Sequence, residues 1–416
     1  MSTATTPPAE EQRSDLGGIV SAYLAKVRGG DVGSLPAVLG LLALVIVFSI
    51  MRPDTFTTEL NFANLIGQSA AVMVLAMGLI FVLLLGEIDL SAGFTGGAAA
   101  AVLALTLTKH DWPLVPALLA GILTGTVIGF FIGTLVARIG IPSFVVTLAL
   151  FLALQGVMLQ IIGEGGTIGI RNDFVIKLNN GSMPIWLGWL LAAVTIVAYA
   201  GGRLLTIRSR RGRGLIAEPM LLWALKSAGF TIVIVAVVGY LSRERSPNPN
   251  LKSLKGVPNV VLLILILVVV LGYLLSRTSW GKHVYAVGGN AEAARRSGIN
   301  VPWVKISCFM ACSTIAALAG FLAASRTNSV SPNTGGSDTL LLAVGAAVIG
   351  GTSLFGGKGR ITDAVIGGLV VAVIRNGIIL LDQPASVYYM VTGAVLLLAA
   401  SVDAISRRRA TASGRA

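Results

Sequence analysis

The sequence predicts an all-α fold: a polytopic membrane helical bundle of about 12 transmembrane helices, within a range of about 10–12, and both termini cytoplasmic. Three observations lead there. Of 416 residues, 55% are hydrophobic and only 12% charged, whereas soluble domains carry about 25% charged residues. Mean hydropathy is +0.85, and the apolar residues gather into runs near the roughly 20 residues that a span needs. Lys and Arg between those runs favour alternate sides by about two to one, as the positive-inside rule requires. The same rule accounts for the net charge of +13. No basic patch interleaved with aromatics points to nucleic acid.

Residues 1–34 read as a polar cytoplasmic tail carrying Pro7 and Pro8, with a short amphipathic helix expected around Ile19–Val27. No signal peptide is expected, because the first apolar run starts near Pro36 and lacks a small-residue cleavage site. Residues 35–403 form the transmembrane domain. Its candidate spans are Pro36–Met51, Leu65–Leu85, Ser91–Leu107, Pro113–Ala137, Phe144–Ile162, Pro184–Leu205, Pro219–Leu241, Pro258–Leu275, Trp303–Ala324, Thr339–Leu354, Thr362–Leu381 and Ala385–Val402. An even number of spans keeps the two strongest basic clusters, Arg208–Arg213 and Arg407–Arg409, on the same inner side. Residues 404–416 form a basic cytoplasmic C-terminal tail.

Small residues recur inside the spans. Gly121, Gly125, Gly129 and Gly133 line one helix face, which suits either close packing or a sliding surface. Cys308 and Cys312 stand one helical turn apart in an apolar run, a poor geometry for a disulfide and a good one for packing. His110 and His283 lack ligand-type spacing, so no metal site is expected. Gly86–Gly97 and Gly350–Gly368 resemble each other, each joining two apolar segments, and suggest a duplicated half.

Four polar segments interrupt the apolar pattern. Gly86-Glu87-Ile88-Asp89-Leu90-Ser91-Ala92-Gly93 places two carboxylates between spans with almost no loop. Buried carboxylates are costly and mark function in membranes. Two readings stand: a turn at the interface capped by Asp89, or a helix break at membrane depth in which Glu87, Asp89 and Ser91 line a pathway.

The second segment runs from Val287 to Ile299, inside the loop 277–301. It is too polar for lipid and reads as a short helix on a membrane face. Asn290 suits the N-cap, Glu292 the first turn, Arg295 and Arg296 the last, and Gly298 the C-cap. Such a helix presents a charged surface to a soluble partner.

Gly350–Arg360 is glycine-rich but is no phosphate loop. Thr352 stands where the first glycine is needed, and Gly359 follows Lys358 where Ser or Thr belongs. Finally, Arg375 and Asn376 lie within an apolar span. They suit hydrogen bonding to a hydroxylated solute, or a structural pairing of Arg375 with Asp363 or Glu87, or snorkelling. No hydrolytic motif is present, so no enzyme is expected.

Together these segments resemble the permease of ribose/xylose-type sugar ABC importers. Gly86–Gly93 is similar to that family's G-x-I-D-L-S-x-G, Gly288–Ile299 to its G-G-N-x-x-A-A-R-x-S-G-I, and Gly350–Arg360 to its G-G-T-S-L-x-G-G-K-G-R. Ile141–Leu148 and Asn376-Gly377 also fit. Glu87 and the extra apolar material at Pro184–Leu241 look closest to the xylose-type permease.

The resemblance implies a path for a monosaccharide, xylose or a similar pentose or hexose, across a bacterial inner membrane. The implied partners are a second permease copy in a homodimer, a cytoplasmic ABC ATPase, and a periplasmic or lipid-anchored sugar-binding protein. No cofactor is expected in this chain, ATP and Mg belonging to the ATPase. By this resemblance Gly289, Asn290, Glu292, Ala294, Arg295, Arg296 and Gly298 dock on that ATPase. Gly356, Gly357, Lys358, Gly359 and Arg360 form the second motif loop. A branched-chain amino acid ABC permease and an ion-coupled secondary transporter are the competing readings.

Overall fold

The computed structural model describes residues 34–215, 217–246, 249 and 253–412. The tail and its expected helix at Ile19–Val27 lie outside them.

Helices dominate. In chain order they are α1 (Leu35–Met51), α2 (Pro53–Phe56), α3 (Glu59–Leu84), α4 (Ala92–Thr108), α5 (Leu114–Thr134), α6 (Ser143–Ile162), α7 (Asp173–Asn180), α8 (Ile185–Gly212), α9 (Met220–Leu241), α10 (Val260–Arg277), α11 (Ser279–Gly289), α12 (Ala291–Arg296), α13 (Val301–Thr327), α14 (Ser337–Gly350), α15 (Ile361–Leu380) and α16 (Ala385–Ala412). Two-residue strands β1 (Ile168–Gly169) and β2 (Ser329–Val330) pair antiparallel.

Among the described residues, nine helices are long and apolar enough to cross a membrane, and three shorter apolar ones accompany them: Leu35–Met51, Ala92–Thr108 and Ser337–Gly350. Each corresponds to one of the apolar runs of the sequence. The chain is a polytopic helical membrane protein.

The centre of the bundle is α3 and α13, wrapped by α4, α5, α14 and α15. The glycine stripe of α5 packs rather than slides. A Cβ at Gly125 would stand 2.5 Å from the Ser313 carbonyl oxygen, and one at Gly129 the same distance from that of Phe309. Cys308 and Cys312 are free thiols buried on α13, as their spacing predicts. The bundle core is therefore held by close backbone approach, the force left to helices when lipid is as apolar as their side chains.

The two short helices α4 and α14 explain the middle of the molecule. At a rise of about 1.5 Å per residue, α13 is roughly 40 Å long. Gly96 near the start of α4 packs on Ala316 and Gly320 of α13, past its midpoint. The start of α14 meets α4 here: a Cβ at Gly93 would collide with the Gly335 carbonyl, and one at Gly97 with that of Thr334. Both helices thus begin deep inside the bundle, N-terminus to N-terminus, and run to opposite faces.

This corrects the internal similarity. The counterpart of Gly86–Gly93 in the architecture is the Val330–Ser337 stretch that leads into α14, not Gly350–Gly368. In each case a full-length helix is followed by a re-entrant stretch and a half-length helix of opposite direction.

Candidate functional site: three loops at one face

α12 is built as its sequence demands. The Asn290 side chain accepts from the Ala293 amide at 2.9 Å. Glu292 pairs with Arg295 and with Arg296, each at 3.3 Å. Gly298 takes a left-handed backbone, φ +84°, the usual helix stop. Gly289, Asn290, Glu292, Arg295, Arg296 and Gly298 are exposed; only Ala294 turns inward and is buried.

Beneath α12, segments some 200 and 270 residues of sequence away from one another meet. A Cβ at Gly288 would collide with the Leu84 carbonyl and stand 3.0 Å from the Gly357 amide. That amide donates to the Leu84 carbonyl at 2.8 Å. A Cβ at Gly356 would stand 3.0 Å from the Gly86 nitrogen. The segments around Gly86, Gly288 and Gly357 therefore touch main chain to main chain, with no side chain between them.

Side chains then lock each segment. The Tyr285 hydroxyl donates to the Gly359 carbonyl at 2.7 Å. Burial first, and then the Asp363 carboxylate, push its phenol up, so it remains a donor. Asp363 Oδ2 accepts from the Arg360 amide at 2.8 Å and from the Thr352 hydroxyl at 3.2 Å, closing the glycine-rich loop. Lys358 and Arg360 are exposed at its rim. Trp280 Nε1 donates to Ser307 Oγ at 2.8 Å and anchors α11 on α13.

The segment Glu87–Ser91 climbs from this face into the bundle. Glu87 pairs with Lys305 of α13 at 2.5 Å. Ser143 and Thr147, from the Ile141–Leu148 motif, bond the Ile88 amide and carbonyl at 3.4 and 3.3 Å. Asp89 is 1% exposed. Its Oδ1 accepts from the Ser91 amide at 2.9 Å and from the Ser91 hydroxyl at 2.6 Å. Its Oδ2 is buried and has no hydrogen-bond partner among the described residues. Asp89 thus makes a local turn with Ser91 inside the bundle, and the N-cap of α4 is Ser91, whose side chain caps nothing. A cavity of about 310 Å³ opens beside Glu87, lined among others by Pro142, Ala291, Arg295 and Lys305.

Arg375 and Asn376 lie elsewhere. Asn376 is buried and exchanges two amide hydrogen bonds with Asn61 of α3, at 2.8 and 2.9 Å. Arg375 is exposed and lies 5.9 Å over the Tyr388 ring. The expected pairing with Asp363 or Glu87 does not form, because Thr352 and Arg360 hold the first and Lys305 the second. Lys305, Asn61 and the Val330–Ser337 stretch escaped the sequence reading. A lysine two residues past the start of an apolar run, with Glu87 in need of a cation, was the available signal.

Residues 61–400 match the family described as the permease component of the branched-chain amino acid transport system. The xylose transport system permease protein of Escherichia coli (strain K12) is 32% identical over 372 residues, covering 89% of this chain and 92% of that protein. The chain belongs to the family of sugar ABC permeases. The Haemophilus influenzae xylose transport system permease protein is 32% identical over 380 residues, 90% of this chain and 98% of its own. The ribose import permease protein of Escherichia coli (strain K12) is 29% identical over 372 residues, covering 88% and 92%. No solved structure matches significantly. Members of this permease family are transport subunits rather than enzymes.

Proposed function

We propose that this chain is the membrane path of an ATP-driven importer for xylose or a similar pentose or hexose, in a bacterial inner membrane with both termini cytoplasmic. One observation carries this reading: the last residues of α11, Gly288 and Gly289, pack on the two glycine-rich turns that lead into the bundle, and the exposed, self-capped helix α12 follows them directly. A load applied to α12 reaches Leu84 and Gly357 through main chain alone, since peptide units have no rotamers to absorb it. Glu87 and Lys305 bind the re-entrant segment to α13 at the same level. Asp89 and Ser91 then stand where that segment enters the bundle, beside the path. Asn376 serves this reading as a helix clamp, and Arg375 as a cation near the opposite end.

ATP and Mg are bound by a separate cytoplasmic ATPase that docks on Gly289, Asn290, Glu292, Ala294, Arg295, Arg296 and Gly298, with Gly356, Lys358 and Arg360 bordering the contact. A second copy of the chain completes a homodimer. A periplasmic or lipid-anchored sugar-binding protein delivers the monosaccharide to the opposite face. Xylose-type relatives at 32% identity over nine-tenths of the chain support the sugar. The family's description supports a branched-chain amino acid cargo as the second reading.

The test replaces Glu292 and Arg295 by Ala and follows co-purification with the cognate ATPase and ATP-driven uptake in vesicles. Both should fall at least about tenfold, the loss of about 1.4 kcal/mol of docking energy. Unchanged assembly and uptake would remove the docking role. Uptake driven by an ion gradient without ATPase would replace the whole reading with a secondary transporter. Titrating the cognate binding protein with xylose, ribose and leucine separates the sugar from the amino acid.

A further inference from the structure

Away from the three converging loops, a second cavity, of about 460 Å³, opens on the same face between α8 and the end of α10. Tyr199, Arg203, Thr206 and Arg210 line it from α8, at helical spacing on one face, together with Glu218 and Arg277. The one carboxylate is already engaged. Glu218 Oε2 takes Arg203 at 2.8 Å and Oε1 takes Lys226 at 2.7 Å. Arg203 is steadied further by the Tyr199 hydroxyl at 2.8 Å. Arg210 and Arg277 are exposed and have no ion pair among the described residues.

Positive-inside topology explains why Arg residues accumulate on this side. It does not explain why they face one concavity. The surroundings are equally particular. On α10, Val270 and Tyr273 stand on the same face as Arg277, two turns and one turn deeper, and are 47% and 61% exposed. The α8–α9 hairpin beside it presents a broad apolar surface, with only 11% and 6% of the residues in its two most apolar stretches buried. Trp223 pins that hairpin through a 3.0 Å bond to the Ala200 carbonyl.

A concave group of guanidiniums at the water boundary, continuous with bare apolar helix, fits a molecule with an anionic head and an apolar tail. We infer that this cavity binds an anionic phospholipid. Arg210 and Arg277 fork the phosphate oxygens, Arg203 held by Glu218 borders the head, and an acyl chain lies along Tyr273 and Val270. Basic pockets between helices on the cytoplasmic side are suited to such heads. The bound lipid ties the hairpin to α10, two residues before α11. This holds whatever solute the chain carries.

The full-length protein, purified in mild detergent, is titrated with phosphatidylglycerol, with phosphatidylcholine and with inorganic phosphate, and bound molecules are read by native mass spectrometry. Phosphatidylglycerol should bind at least about tenfold more tightly than phosphatidylcholine. Arg210→Gln with Arg277→Gln should weaken it by about thirtyfold, roughly fivefold for each charge, and leave phosphatidylcholine unchanged. Arg210→Lys with Arg277→Lys should keep most of the preference. Equal binding of the two lipids, or an unaltered preference in the Gln variant, overturns the proposal. Displacement of phosphatidylglycerol by millimolar phosphate would make this a small-anion site instead. Loss of ATPase assembly with lipid binding intact would make it a protein contact. Should the Gln variant fail to fold, brominated lipids decide on the unaltered chain with Trp223→Phe as reference: Trp223 should be quenched more by brominated phosphatidylglycerol than by brominated phosphatidylcholine, and equal quenching refutes the site.

Discussion

The most apolar 18-residue stretches of α3 and α9 have the same mean hydropathy, 2.2, yet 83% of the α3 stretch is buried inside the molecule and 6% of the α9 stretch. Both carry glycine, alanine and serine. Gly78 of α3 would bring a Cβ to 2.9 Å from the Cys312 carbonyl, whereas Gly229 of α9 has nothing within 4 Å. Hydropathy therefore reports that a helix dissolves in lipid and is silent on how deep in the bundle it sits. In water, apolar burial would separate the two. In a bilayer a lipid tail and a leucine are equivalent surroundings, so close approach and polar pairs decide instead.

The sharpest way to break this contrast is to add volume at each place. Gly288→Val pushes two methyls into the Leu84 carbonyl and should cost about 3 kcal/mol, the upper end for overpacking, and abolish uptake. Gly229→Val on the peripheral helix should stay within about 0.5 kcal/mol. Thermal unfolding in detergent compares the two, and equal costs would erase the distinction between core and periphery.

Removing a central charge comes next. Lys305→Ala leaves Glu87, with 18% of its side chain exposed, without its cation. The expected loss is about 2 kcal/mol, between exposed and buried pairs. A double-mutant cycle with Glu87→Gln should recover at least half of it; strict additivity would mean the pair carries no coupling.

Smaller again is the Asn61–Asn376 clamp. Asn376→Ala should cost about 0.6 kcal/mol, and no more than about 1.7, read by the same unfolding assay. Arg375→Ala should cost less. A larger loss for Arg375 would restore it as a structural residue.

At α12 the Glu292 pairs are solvent-exposed, and Glu292→Ala should change stability by less than about 0.5 kcal/mol while reducing ATPase co-purification. A large stability loss would reassign this helix from contact to scaffold.

The slightest effect belongs to the loop after α9. Hydrogen bonds from the Ser253 hydroxyl, then from the Leu254 and Ser246 amides, hold the Glu244 carboxyl at about 2, below its ordinary 4.5. A depressed carboxyl stabilises above its ordinary value and loses that contribution as pH falls toward the folded one. The hydrogen-exchange protection factor of the Leu254 amide, the measured rate corrected for the intrinsic pH dependence of exchange, should be steady from pH 7 to 5 and fall between about 4.5 and 2. A fall already at pH 6 would contradict the assignment.

Much of the architecture was legible because lipid imposes length and charge rules that sequence must obey. Each apolar run holds a helix, nine of them long enough to cross a membrane among the described residues, and Asn290, Glu292 and Gly298 predicted α12 because capping is local chemistry. What stayed hidden was pairing at long range. Nothing near Asn376 names Asn61, 315 residues earlier, and Glu87 does not announce Lys305. The depth at which α4 and α14 begin was hidden too: a 17-residue and a 14-residue apolar run look like short spans until their N-termini are seen to abut. The likeness between Gly86–Gly97 and Gly350–Gly368 misled because glycine-rich turns look alike wherever they lie.

At the seam Gly93 and Gly97 meet Thr334 and Gly335 main chain to main chain, with the Leu340 and Met158 side chains at its edge. Its tightness depends on Gly93 and Gly97 having no side chain at all. The corollary is brittleness: such a join has no graded failures, and a single methyl there would leave it either shut around the wrong shape or open altogether.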